Sequence, residues 1–318
     1  MPQILTSAEP LVCRGLVSEW PLVRAARESP DSVDRYIRRF YRNATVGAFL
    51  GGPDIEGRFT YNDDLTGFNF DIRRLRLDTV LDTLRQYRDE QQAPTIYVAS
   101  TTIDTCLPGM RAENDLDFAE VKPLASVWIG NRTCIAAHFD VPDNLACVAV
   151  GRRRFTLFPP EELQNLYVGP LDFTPAGQPI SLVDVDRPDF DRYPRFRHAL
   201  RKAQVAELAP GDAILVPSMW WHHVRSLDSF NVLINYWWRK SPAYMGTPMD
   251  LLRHAILTLR ELPEEQRRAW HGMLRHYVFD QGENAVQHLP KQSRGMLSSL
   301  DEASARQLRA ELLNNLNR

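Results

Sequence analysis

The chain predicts a mainly β fold with flanking helices, built on a jelly roll, and three observations predict it. Between residues 94 and 240, short β-branched or aromatic runs alternate with Gly, Pro, Asn and Asp, as many short antiparallel strands closed into a sandwich or barrel would. After residue 246, apolar residues fall at helical spacing to the end of the chain. Before residue 93 the pattern is mixed, with two amphipathic stretches around a turn-rich segment. The expected organisation is a mixed N-terminal region over 1–93 that packs on the barrel, a barrel core over 94–240, and a helical region over 241–318.

Each part has its own signals. The opening MPQILTSAEPLVCRGLVSEWP lacks a basic start followed by a sustained apolar stretch, so no signal peptide is expected. PDSVDRYIRRFYRN and LDTVLDTLRQYRDE carry acidic starts and helical spacing, and GGPDIEGRFTYNDDLTG between them is turn-rich with room for short strands. The strand candidates are PTIYVAS, ASVWIG, CIAAHFDV, LACVAV, RFTLFP, DAILVP and NVLINYWWR. They are interrupted over 159–196 by a proline-rich, aperiodic segment, and such long insertions usually serve as lids or binding loops. TPMDLLRHAILTLREL opens with a cap and then proline, and LPEEQRRAWHGMLRHYVF repeats the device with Glu264 and Glu265 in its first turn. SLDEASARQLRAELLNNL places Ser299 and Glu302 at capping-box spacing. The stripes Met249, Leu252, Ile256, Leu259 and Trp270, Met273, Tyr277 need a partner surface, either the barrel or a second copy.

Bulk properties exclude several classes. A net charge of −2 argues against broad electrostatic capture of nucleic acid, and RRFYR (38–42) and RRLR (73–76) read as solvated faces. Cys13, Cys106, Cys134 and Cys147 form no CxxC, so neither a zinc ribbon nor a disulfide framework is expected. No apolar run approaches the roughly 18–20 residues of a membrane span. A cytoplasmic location and no membrane partner are the expectation.

The chemistry starts at IAAHFDVPDN (135–144). Residues two apart on a strand share a face, so His138 and Asp140 project side by side. Alone, such a pair is more often surface or core than a ligand pair. PGDAILVPSMWWHHVRS (210–226) adds a second strand-borne histidine that an antiparallel barrel can return beside the first. Two histidines and one carboxylate, with half the coordination sphere open, make the facial triad of non-haem Fe(II) oxygenases. His222 and His223 point to opposite faces, so at most one ligates.

Taken in order, HFD, GRRRFTLFPPEEL, DVDRPDFDRYPRF, GDAILVPSMWWHH and NYWW resemble the JmjC, or cupin-like, 2-oxoglutarate-dependent oxygenases. The closest likeness is to the factor-inhibiting-HIF type of asparaginyl hydroxylase. EPLVCRGLVSEWP resembles that family's entry segment, the likeness runs through residues 8–240, and the tail is similar in kind to its dimerising C-terminal helices. The resemblance implies a double-stranded β-helix (jelly-roll, cupin) core. It implies iron ligation by His138, Asp140 and His222, with 2-oxoglutarate and dioxygen as co-substrates. Tyr97 falls on a tyrosine that binds the distal carboxylate of 2-oxoglutarate, and Arg153 stands where this type has a lysine for the same carboxylate. Asn144 and Asn235 match asparagines near metal and co-substrate, and Trp237 matches a tryptophan lining the site.

Three departures stand out. Ile135 replaces a co-substrate threonine, Arg153 replaces lysine with a bidentate fork, and Pro179 and Ile180 replace an Arg-Gln pair that engages the target peptide. Strand parity puts Arg153 on the face opposite Arg152 and Arg154, and puts Asn235 and Trp237 on one face. Trp237, Tyr236 and Phe139 are expected to form an aromatic wall, and Trp220 and Trp221 to serve packing. The implied reaction couples decarboxylation of 2-oxoglutarate, to succinate and carbon dioxide, with hydroxylation of an unactivated C–H on a protein side chain. A modified tRNA base, a catalytically silent cupin used for binding or assembly, and another metal-dependent cupin enzyme are the alternatives. Convergence of Arg153 and Tyr97 on the metal's open side would separate them. The C-terminal helices are expected to form a homodimer.

Overall fold

The computed structural model describes residues 1–280 and 285–317; residues 281–284 and 318 of the expected helical region lie outside them. The chain divides into two compact units, Met1–Arg239 and Lys240–Arg318.

Among the described residues the first unit holds thirteen strands: β1 (Leu11–Cys13), β2 (Thr45–Gly51), β3 (Arg58–Phe59), β4 (Asp71–Arg76), β5 (Thr95–Thr102), β6 (Leu124–Gly130), β7 (Cys134–Phe139), β8 (Asp143–Val150), β9 (Arg153–Phe158), β10 (Gln204–Leu208), β11 (Ala213–Val216), β12 (Trp221–Ser226) and β13 (Asn231–Trp238). They form an eight-stranded sheet ordered β1-β11-β8-β13-β6-β5-β2-β4 and a five-stranded sheet ordered β10-β9-β12-β7-β3. Every pairing is antiparallel except β3 with β7. Residues 1–93 thus extend both sheets as well as packing against them.

Alternation along β13 shows how the layers are built. Val232, Ile234, Tyr236 and Trp238 join the core on the outer face of the large sheet. Of the helices α1 (Pro2–Thr6), α2 (Pro21–Glu28), α3 (Pro30–Phe40), α4 (Leu77–Gln86), α5 (Ile103–Cys106) and α6 (Phe196–Lys202), α2, α3 and α4 contribute Leu22, Val33, Ile37 and Leu81 to that core. Leu233, Asn235 and Trp237 instead face the space between the sheets. β8 is buried at all eight positions, and the apolar run LACVAV (145–150) anticipates this for the last six. α3 starts where Ser29 Oγ accepts from the Ser32 N–H at 3.1 Å, with Pro30 in its first turn.

Two local features position the site. The β8–β9 turn is made by Gly151 at φ +70°, where a Cβ would lie 2.3 Å from Asn231 Oδ1 and 2.6 Å from the Phe230 carbonyl. No other residue fits there, and this tight turn delivers Arg153 into the barrel. The 159–196 segment is pinned to β7 by the Ser181 N–H bonding to Ala137 O at 2.7 Å and by a bridge between His138 and Ile180.

The second unit contains α7 (Pro248–Leu259), α8 (Glu264–Leu274) and a last helix, α9 (Glu302–Leu316). Thr247 caps α7 as expected, and Pro263 is itself the cap residue of α8. The capping box of α9 differs from the expected Ser299–Glu302. Asp301 is the cap, accepting from Ser304 N at 2.8 Å, while Ser304 Oγ accepts from Asp301 N at 2.9 Å. A short aspartate one residue before the first helical turn reaches that amide better than a serine two residues further out. Leu252, Ile256, Trp270, Met273 and Tyr277 are exposed. Among the described residues, no helix is long and apolar enough to cross a membrane.

Candidate active site

The two sheets enclose a cavity of about 470 Å³. His138 at the end of β7, Asp140 just beyond it and His222 on β12 converge there, their ligand atoms all within 4.8 Å of one another. The imidazole centroids lie 4.2 Å apart, and His222 Nε2 is 3.7 Å from Asp140 Oδ2. His138 Nδ1 meets the Ala136 carbonyl at 2.9 Å, and His222 Nδ1 meets the Trp220 carbonyl at 3.1 Å. A carbonyl can only accept, so each Nδ1 carries the proton and each Nε2 lone pair is left to face the cavity. That tautomer is the one metal-ligating histidines adopt.

The carboxylate is held from two sides. Asn144 Nδ2 donates to Asp140 Oδ2 at 3.0 Å, and Trp237 Nε1 donates to the same oxygen at 3.1 Å. Asn144 Oδ1 accepts from Asn235 Nδ2 at 3.1 Å, and Asn235 Oδ1 accepts from Trp128 Nε1 at 2.8 Å. Trp128, Asn235 and Asn144 therefore form one relay from β6 through β13 and β8 to Asp140, and Trp237 joins it at the carboxylate, which explains these polar groups in an apolar setting.

The cavity's buried cation is Arg153, which is 2% exposed. The Tyr97 hydroxyl lies beside its guanidinium, and burial lowers the pKa of Arg153 and raises that of Tyr97 to about 12. Guanidinium Nε and Nη2 have no partner, and among the described residues no carboxylate stands at ion-pair distance from them. Arg152 and Arg154 on the other face pair at the surface with Asp228 and Glu207. An unpaired buried charge is costly, and an anion in the cavity would offset that cost.

A family model described as a cupin-like domain matches residues 2–244. The chain belongs to that cupin-like family. It is similar to tRNA wybutosine-synthesizing protein 5 of Gallus gallus, 34% identical over 145 residues, 41% of this chain and 42% of that protein. It is similar to Lysine-specific demethylase 8 of Xenopus tropicalis, 27% identical over 241 residues, 74% of this chain and 49% of that protein. HSPB1-associated protein 1 of Homo sapiens is 31% identical over 153 residues, 46% of this chain and 30% of that protein. The chain spans less than half the length of each of these relatives.

Within this cupin-like barrel the expected aromatic wall is corrected. Trp237 lines the cavity, but Tyr236 packs on Phe118 at 4.8 Å in the outer core, and Phe139 packs on Trp221 at 5.0 Å behind β7. Each sits one residue from a cavity-facing neighbour, so strand parity sends it to the opposite face. The wall is made instead by Trp237, Trp128, Tyr97, Phe49 and Phe59. Ile135 lines the cavity, so the threonine replacement removes a hydroxyl from its wall. Gln178, which sequence reasoning missed, also faces the cavity, with Oε1 buried and unpartnered. It lies in the aperiodic 159–196 segment, where no spacing rule could have selected it.

Burial first, and His138 second, push His222 from 6.5 down to about 4; burial pushes His223 down to about 4 as well. The unfolded chain titrates both near 6.5 and so binds more protons than the folded chain between about 4 and 6.5. The stabilisation from keeping them neutral is complete above about 6.5 and is lost as pH falls toward about 4. Chelator-treated protein should show a urea midpoint that declines from pH 7.5 to pH 5, with a smaller decline in His223→Gln. Equal declines in both proteins would contradict this assignment.

Proposed function

We propose that this protein is an Fe(II)- and 2-oxoglutarate-dependent oxygenase that hydroxylates an unactivated C–H bond, on a protein side chain. The observation that carries the reading is the buried, unpartnered guanidinium of Arg153 in the same cavity as His138, Asp140 and His222. Two imidazoles and one carboxylate suit iron with positions left open, and the fixed Nδ1 bonds fit that role. When bound, the iron and 2-oxoglutarate would supply the activation of dioxygen, with succinate and carbon dioxide as co-products.

The residues then divide the work. Arg153 Nε and Nη2 would present two donors to the far carboxylate of 2-oxoglutarate, and the Tyr97 hydroxyl would supply a third polar contact beside them. Asn144 and Trp237 orient Asp140, while the surrounding aromatic rings keep water out. Pro179 and Ile180 offer no counterpart to the Arg-Gln pair of the asparaginyl hydroxylases, so the target is recognised by other groups. A tRNA base is the second reading, supported by the likeness to a protein named for tRNA wybutosine synthesis. The complete triad counts against a silent binding module. A cytoplasmic location belongs to the same reading, supported by four unpaired cysteines.

We also propose homodimerisation through α7 and α8, supported by their exposed apolar residues. Light scattering should give about twice 36.5 kDa; a monomer at micromolar concentration would count against it. For the activity, succinate should form from 2-oxoglutarate only with Fe(II) and oxygen, and should vanish in His138→Ala. Product searches in peptide and tRNA pools then read a gain of one oxygen. Succinate formation that survives in His138→Ala would sink the proposal.

A further inference from the structure

We propose that Cys134, Asp186 and His223 form a second metal site, for a divalent cation of the zinc class, on the outer face of the strands that carry the histidines of the first. β12 presents its residues alternately, so His222 enters the barrel and His223 leaves it. An irregularity between His222 and Val224 in the β7–β12 register sends Ile135 inward beside Val224 and leaves Cys134 outside with His223. The 159–196 segment crosses this outer face and brings Asp186.

Three different donors then meet. Cys134 Sγ lies 3.2 Å from His223 Nε2 and 3.8 Å from Asp186 Oδ2, and His223 Nε2 lies 3.8 Å from that same oxygen. Ligand atoms around a tetrahedral zinc stand roughly 3.3–3.6 Å apart, given metal–ligand bonds of about 2.0–2.3 Å. The three observed separations fall within a few tenths of an ångström of that. A thiol, an imidazole and a carboxylate select zinc or a similar soft-to-borderline ion over magnesium or calcium.

The imidazole itself supplies the independent reason to look for a ligand. Among the described residues a thiol, a weak donor, is the one group at hydrogen-bond distance from the Nε2 of His223, which is 1% exposed. A buried imidazole nitrogen matched only by a weak donor has its lone pair available to an ion. Arg225 Nη1 donates to Asp186 Oδ2 at 3.1 Å, a hydrogen bond that orients the carboxylate from the outer shell. Asp186 is the exposed member, so the fourth position opens to solvent. Binding would release the Cys134 thiol proton and clip to β7 and β12 the segment that also supplies Gln178 and Ile180 to the cavity.

The test uses the full chain with the first site disabled, His138→Ala with Asp140→Ala, stripped with chelator and titrated with Co(II). One equivalent should bind with a sulfur-to-cobalt charge-transfer band in the near ultraviolet, absent in the added Cys134→Ala. Because the first site holds no thiol, that band reports only on the second and is independent of any oxygenase activity. Asp186→Asn, at the exposed edge where the fold tolerates it, should weaken cobalt binding at least roughly tenfold. No sulfur band, a band that persists in Cys134→Ala, or unchanged affinity in Asp186→Asn overturns the site.

Discussion

A guanidinium keeps its charge at any physiological pH, and at position 153 the fold carries that charge inside a barrel with no carboxylate at ion-pair distance among the described residues. Leaving two of its N–H groups unpaired there costs stability, and much of the surrounding structure reads as the frame that imposes this arrangement. Gly151 makes the turn that admits it. Arg152 and Arg154, on the opposite face, are tied to Asp228 and Glu207 at the surface and fix the register of β9. Tyr97 contributes its hydroxyl from the facing sheet. On the proposed function, the stability given up at this point would be recovered when a dicarboxylate of the right length binds.

The histidine–aspartate group depends on the same two-sheet architecture. His138 and His222 come from neighbouring strands of the small sheet, whereas the relay that steadies Asp140 comes from three strands of the large one. The proposed metal centre therefore needs both sheets in register, and a one-residue shift of a strand would break it. Backbone carbonyls at Ala136 and Trp220 set the imidazole tautomers without help from any other side chain. On the far side of β7 and β12, His223 and Cys134 meet a different segment altogether, so one pair of strands presents two unrelated sets of donors.

Much of this was legible in the sequence because strand periodicity is simple. Alternation separated Arg153 from its two neighbours and grouped Asn235 with Trp237. The same rule, not applied to Tyr236 and Phe139, would have excluded them from the cavity wall, since each adjoins a residue that faces it. The strand–turn rhythm of 94–240 announced the barrel, but β2 and β4 lay outside that window and were not anticipated as sheet members. Gln178 and Asp186 were invisible for a different reason. Their segment has no periodicity, and its placement is fixed by long-range bonds such as Ser181 to Ala137 that no local pattern encodes.

The account rests on Arg153 being matched to a dicarboxylate, and calorimetry tests that most directly. Anaerobic titrations of the metal-loaded protein would compare 2-oxoglutarate with a 2-oxo acid of the same length that lacks the second carboxylate. Wild type should prefer the dicarboxylate by roughly 10–150-fold, the worth of about 1.5–3 kcal/mol from a charged hydrogen-bonded pair, and Arg153→Met should abolish the preference. Equal affinity for the two acids in the wild type, or a preference retained in Arg153→Met, would contradict it.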